Sequence, residues 1–322
     1  MDPNEPRIEI FAPFGEAFEL TKKILFQPFD LAKWFVIGFA AWLATFFSGG
    51  GGFNYNRSWG KQNWNWQWKS EHVGRQFNMH NAPAWVAPAI IVGVLVFLVF
   101  LALLLWLNAR GRFMFTDCIV RNRGAIAEPW REYRVEGNRY FIFQIVISIC
   151  SMLVFGGLAV FYFVGAYMGH TIVPLALIIL FGVAFVLVLL LVTLIMKLMV
   201  PVMYRQRCTA TEAFRELWQL ILANPGVLIL FVLFYILLFI AAGMVGCLAA
   251  CVTCCVAALP YIGTVILLPV VMVLYAFPLC FLRQFGDPYD VWAVVRPAEP
   301  LPPPTTPPPP PIPPVQETPP PA

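Results

Sequence analysis

Long apolar runs dominate the chain, and its polar residues gather in the intervals between them. A helix needs about 20 mostly apolar residues to cross a hydrocarbon layer roughly 30 Å thick. Six stretches meet or approach that length: residues 30–47, 84–107, 140–167, 172–197, 226–247 and 260–282. The first is the shortest, and Lys33 on its flank can reach back to the interface on its flexible stem. Only a few residues around Gly169 and His170 separate the third and fourth, which predicts a tight antiparallel helical hairpin.

The polar intervals carry a second pattern. Before each odd-numbered span lies a short amphipathic segment: Glu16-Ala17-Phe18, Glu128-Pro129-Trp130 and Glu212-Ala213-Phe214. Each is followed by an expected break, at Gln27-Pro28, Gly137-Asn138 and Asn224-Pro225. In the third copy Phe214, Leu217, Trp218 and Ile221 recur at helical spacing, with Glu212, Arg215, Glu216 and Gln219 on the other face. Thr209 and Glu212 have the spacing of a capping box. Ile126, Trp130 and Tyr133 supply the apolar face of the second copy, and Phe14, Ala17 and Phe18 that of the first. Such helices suit the headgroup plane, with Phe18, Trp130 and Trp218 as interfacial anchors; packing on protein is the other reading. The expected fold is all-α and polytopic: six transmembrane helices arranged as three repeats of an interfacial amphipathic helix plus a transmembrane hairpin.

Composition removes the soluble alternatives. Of 322 residues 60% are hydrophobic and 12% charged, against about 25% charged in soluble proteins. A net charge of +4 gives no basis for nucleic-acid binding; what matters is where the positive charges fall. With six spans, seventeen Lys and Arg residues lie on the side of the termini and four (Arg57, Lys61, Lys69, Arg75) on the other. The positive-inside rule then puts both termini in the cytoplasm. The acidic start, MDPNEPRIEIFAPFGEAF, is not a cleavable signal peptide, so the first membrane helix would direct insertion. Three regions follow: an N-terminal segment with an interfacial helix (1–29), the membrane domain (30–285) and a Pro-rich cytoplasmic tail expected to be disordered (286–322). The membrane domain has an outer loop at 48–82 and cytoplasmic loops at 108–139 and 198–225.

The stretch Asn108-Ala109-Arg110-Gly111-Arg112-Phe113-Met114-Phe115-Thr116-Asp117 continues through Val120-Arg121-Asn122-Arg123, Glu128-Pro129-Trp130-Arg131-Glu132-Tyr133 and Gly137-Asn138. It resembles a family of uncharacterised six-span bacterial integral membrane proteins. More distantly, the repeated pattern is similar to the membrane domain preceding the catalytic domain of some bacterial glycerophosphodiester phosphodiesterases. The resemblance covers roughly residues 10–290 and implies a multi-pass bacterial inner-membrane protein. It transfers no catalytic residue, because the phosphodiesterase barrel has no counterpart in this sequence.

Four groups of residues offer candidate chemistry. The segment 108–139 carries seven arginines beside Asp117, Glu128, Glu132 and Glu136. Guanidinium forks suit phosphate, making Arg110, Arg112, Arg121 and Arg123 candidates for a lipid headgroup, although membrane topology alone also calls for juxtamembrane arginines. Cys247, Cys251, Cys254 and Cys255 form a helical stripe of soft metal ligands. Ala242, Gly246, Ala250 and Cys254 equally form a four-residue repeat of small residues that allows helices to approach closely. Trp64, Trp66 and Trp68 alternate with polar residues in the outer loop, as interfacial anchors or as a stacking surface. The tail has 15 prolines among its last 26 residues, an extended spacer or a ligand for a cytoplasmic protein.

No Asp or Glu lies deep in a span, and Lys197 is expected to snorkel at a cytoplasmic end, which argues against an ion-coupled pump. With no Walker loop, GxSxG elbow or HExxH pair, an enzyme is not expected, nor any cofactor. The expected function is that of a membrane scaffold or accessory subunit contacting lipid or a protein partner. The alternatives are a carrier or channel for an uncharged or lipid-like solute and, more weakly, a phospholipid-headgroup enzyme.

Overall fold

The structure is a computed structural model that describes residues 9–46, 85–167, 172–253, 256 and 259–295. Every regular element among them is helical. In chain order these are α1 (Phe11–Phe26), α2 (Leu31–Thr45), α3 (Val86–Val120), α4 (Ala127–Glu132), α5 (Arg134–Tyr167), α6 (Ile172–Gln206), α7 (Ala210–Ala223), α8 (Pro225–Val252), α9 (Pro260–Ile266) and α10 (Leu268–Arg283). Two 3₁₀ turns follow, Asp287–Tyr289 and Val291–Val294.

Four helices are long and apolar enough to cross a membrane, over Pro88–Val120, Arg134–Gly165, Ile179–Gln206 and Pro225–Val252. The outermost expected spans come out shorter. Helix α2 has 15 residues, a rise of about 22 Å. The stretch 260–282 is divided at Leu267. Pro269 has no N–H to offer the carbonyl four residues back, so one helix ends and another begins with the proline in its first turn. That carbonyl, on Val265, instead accepts the indole N–H of Trp34 at 3.0 Å.

Local chemistry sets the helix starts. Asp30 caps α2 by accepting from the backbone of Ala32 at 2.9 Å. Thr209 and Glu212 form the expected capping box of α7, and Asn224-Pro225 makes the expected break before α8, with proline in the first turn. The break expected at Gly137-Asn138 is absent. The chain turns four residues earlier, at Tyr133, and α5 runs straight through the pair. Gly137 serves closeness instead: a Cβ there would lie 3.1 Å from Cγ of Arg110 on α3.

Helix α3 stays helical through residues 108–120, the first part of the segment expected to be a cytoplasmic loop, and α6 does the same through 198–206. These two continuations, that of α3 rich in polar residues and that of α6 mostly apolar, contribute much of the buried core. Antiparallel α2 lies against α3, α9 packs on α2, α1 on α10, and α5 on both α3 and α6. The α2–α3 crossing is so close that a Cβ on Gly111 would fall 2.6 Å from Cβ of Leu43. The terminal carbonyls of α2, which lack helical donors, are met by Asn108, whose side-chain amide donates to Leu43 O at 2.8 Å and Ala44 O at 2.9 Å.

The small-residue face of α8 is buried at Ala242, Gly246 and Ala250, while Cys247 and Cys251 are exposed. The helix ends at Val252, and Cys254 and Cys255 lie outside the described residues. The segment expected to be disordered from 286 onward is ordered as far as Val295. Asp290 accepts from Trp292 N at 2.9 Å, Val291 is fully buried, and the turns pack on α6. The remainder of the tail lies outside the described residues, as do Trp64, Trp66 and Trp68.

Candidate functional site

At one end of the bundle a fully buried carboxylate, Asp117, sits in the last turn of α3. It accepts Nε of Arg121 at 3.1 Å, Nε and Nη2 of Arg123 at 3.2 and 3.1 Å, and the Tyr204 hydroxyl of α6 at 2.9 Å. A second layer lies outside it. Glu132 accepts Nη2 of Arg121 at 2.9 Å and Nη2 of Arg207 at 2.6 Å, Arg207 also reaches Glu136 at 3.4 Å, and Arg123 pairs with Glu128. Tyr133 stacks on Tyr204 with centroids 4.6 Å apart, and the Arg207 guanidinium lies 4.0 Å above the Tyr133 ring. The lattice ties α3, α4, α5 and α6 together. Partial burial is the largest single influence on Arg121 and Arg123 and works against their charges, but Asp117 together with Tyr204 and Glu132 at Arg121, and with Glu128 at Arg123, outweighs it, and both guanidinium pKa values lie above the ordinary value.

The four candidate phosphate-binding arginines therefore fall into three settings. Arg121 and Arg123 belong to the carboxylate lattice. Arg110 lies over the Trp106 and Trp130 rings, at 4.4 and 4.8 Å, and donates to Asn138 Oδ1 at 3.1 Å. Arg112 is buried between α3 and α5, its Nη1 donating to the Tyr140 hydroxyl, which donates onward to Met196 O at 3.2 Å. The structure does not gather them into one cluster.

Of the expected interfacial anchors, Phe18 and Trp218 are exposed, whereas Trp130 turns inward to Arg110. The faces of α1 and α7 that meet protein are Ala17, Thr21 and Ile24 on the one and Ala210, Ala213 and Leu217 on the other, slightly rotated from those the aromatics mark.

A second setting escaped the sequence reading. A cavity of about 30 Å³ is lined by Arg112 and Thr116 of α3, Lys197 and Pro201 of α6, Tyr235 of α8, and Tyr275 and Pro278 of α10. Lys197 does not snorkel. Its Nζ meets the Tyr235 hydroxyl at 2.9 Å and lies 4.6 Å from the centre of that ring. A lysine four residues before a proline within an otherwise apolar run was the available signal, since an ionisable group inside a membrane helix marks a site by default. Among the described residues no three His, Cys, Asp or Glu side chains are grouped to hold a metal.

Helices of this length and apolarity, with charge collected at one end, define an all-helical membrane protein. More particularly, a family of unknown function, DUF7544, matches residues 9–294, and the chain belongs to that family. No curated protein and no solved structure matches it, and no similarity to the phosphodiesterase membrane domain is shown.

Proposed function

We propose that the protein is a non-enzymatic scaffold or accessory subunit of a bacterial inner membrane, contacting lipid and a cytoplasmic protein. In this reading it crosses the membrane six times as three repeats of amphipathic helix plus hairpin, with both termini in the cytoplasm. The supporting observation is the lattice around Asp117. The densest charge in the described residues is answered by carboxylates of the same chain and joins helices to one another. That is the chemistry of a rigid frame, and the Pro-rich tail beyond it is suited to an aromatic groove on a partner.

Co-purification tests this function. Mild extraction of the full chain should bring down a stoichiometric protein that is lost when residues after Arg296 are deleted; identical recoveries from both chains would remove the tail-dependent scaffold. Orientation is tested with a cysteine at Arg131, which is exposed and lies in the same segment as the lattice. An impermeant thiol reagent should spare it in intact spheroplasts and label it in inverted vesicles. The native Cys118 cannot report orientation, because it is fully buried.

A carrier for an uncharged or lipid-like solute is the second reading, favoured by the cavity to which α3, α6, α8 and α10 all contribute. Uptake by proteoliposomes containing this protein alone would support it.

A further inference from the structure

The two regions of charge differ in what balances them. Around Asp117 the arginines face carboxylates, whereas the cavity one to two helical turns further into the bundle is lined by two cations and no Asp or Glu. Charge in a low-dielectric interior is costly unless it is paired, and the Lys197 ammonium is met by the Tyr235 hydroxyl and ring rather than by a carboxylate. The neutral polar groups on the wall are hydroxyls: Thr116, Tyr235 and Tyr275. Tyr235 accepts from Lys197, which leaves its own O–H to donate to something else. Arg112 is more than nine-tenths buried, and its position is fixed through Tyr140.

The backbone is also opened at this level. Pro201 in α6 and Pro278 in α10 both line the cavity and lie inside their helices. Each removes the hydrogen bond to the carbonyl four residues earlier, on Lys197 and Leu274, which line the same cavity. Those carbonyls can accept from the two cations or from a hydroxyl carried by a ligand, so donors and acceptors converge where the surrounding helices are otherwise apolar.

We propose that this cavity binds a singly charged oxyanion, the phosphate group of a lipid headgroup or free phosphate, between Arg112 and Lys197, with Tyr235 as a hydroxyl donor. The site goes beyond the scaffold reading and does not depend on it: the tail-deletion experiment can fail while this site stands, and the reverse. About 30 Å³ accommodates a compact group rather than a whole headgroup, so a lipid would insert its phosphate and leave its chains among the apolar helix halves.

The test uses the full chain in a neutral detergent, with thermal unfolding followed as dioleoylphosphatidylglycerol, inorganic phosphate or dioleoylglycerol is titrated. The wild type should show a saturable rise in Tm with a phosphate-bearing probe and none with dioleoylglycerol. Stabilisation by the lipid alone assigns the site to a headgroup, and stabilisation by both phosphate probes assigns it to the free anion. Lys197→Met should weaken the saturable binding roughly tenfold or more, yet leave the unliganded Tm unchanged or raised, because it removes a cation lacking a protein counter-charge. Should that variant fail to fold, Tyr235→Phe keeps the ring and should weaken binding several-fold. The proposal is overturned if the wild type shows no saturable response to either phosphate probe, if dioleoylglycerol acts as strongly as the phospholipid, or if the folded variant binds as tightly as the wild type.

Discussion

Helix α3 contains two kinds of surface within one unbroken element. From Pro88 to Phe100 every residue is exposed, while from Asn108 to Val120 every residue is buried. The first part is almost purely Val, Leu, Ile and Phe; the second contains Asn108, Arg110, Arg112, Thr116 and Asp117. This reverses the order expected in water, and the reason lies in the solvent. An apolar side chain gains little by leaving lipid for another helix, whereas a polar group in lipid gains a partner and a small residue gains close contact. Along α3 packing therefore follows the stretch that contains the polar and small residues, and its long apolar half needs nothing but a bilayer around it.

The contrast can be broken first at its centre. Asp117→Asn removes the carboxylate on which Arg121, Arg123 and Tyr204 converge. Leaving charges without their partner costs about 3–5 kcal/mol, enough to lower the yield of monodisperse protein in size-exclusion chromatography as well as the Tm. Next come two isoleucines of the same helix. Ile119 is 1% exposed and Ile91 60%; Ile119→Ala should cost about 2–5 kcal/mol and Ile91→Ala less than about 0.5 kcal/mol in matched thermal unfolding curves. Equal losses would mean that the outer half is packed on protein after all.

Smaller effects sharpen the comparison. Gly111→Ala forces a methyl against Leu43 and the α2 backbone, a cost of about 1–3 kcal/mol. Asn108→Ala uncovers the Leu43 carbonyl at the end of α2 and leaves the Ala44 carbonyl to the Tyr275 hydroxyl alone, again about 1–3 kcal/mol. The smallest effect belongs to exposed Glu212, whose pKa is lowered by the backbone N–H of Thr209. A carboxylate with a depressed native pKa contributes stability above its unfolded pKa and loses it as pH falls through the native value. Wild-type Tm should thus decline slightly more than that of Glu212→Gln on acidification below the ordinary carboxylate range, and parallel curves would show that the box contributes nothing.

These residues also show what could be read from sequence. The capping box at Thr209 and Glu212, the break at Asn224-Pro225 and the buried face of Ala242, Gly246 and Ala250 rest on spacings of a few residues, and each is present. The continuation of α3 through Asn108–Val120 was hidden. Hydropathy ends a span where polar residues begin, and the groups that answer these lie far away in the chain: Leu43 for Asn108, Tyr140 for Arg112, Tyr204 for Asp117. The same distance concealed the cavity, since Lys197 meets Tyr235 only after α6 and α8 are assembled. Arg110, Arg112, Arg121 and Arg123 were visible as a charged segment, but their division among separate settings depends on contacts that no local pattern encodes.

The most direct test of this two-part account is a spin-label scan along α3 in lipid vesicles, reading oxygen accessibility at each position from Ile90 to Phe100 and from Phe113 to Ile119. Uniformly high accessibility in the first stretch, with no 3.6-residue period, and uniformly low accessibility in the second is the expected result. A helical period of shielding between Ile90 and Phe100 would contradict it, because protein would then cover a face assigned here to lipid.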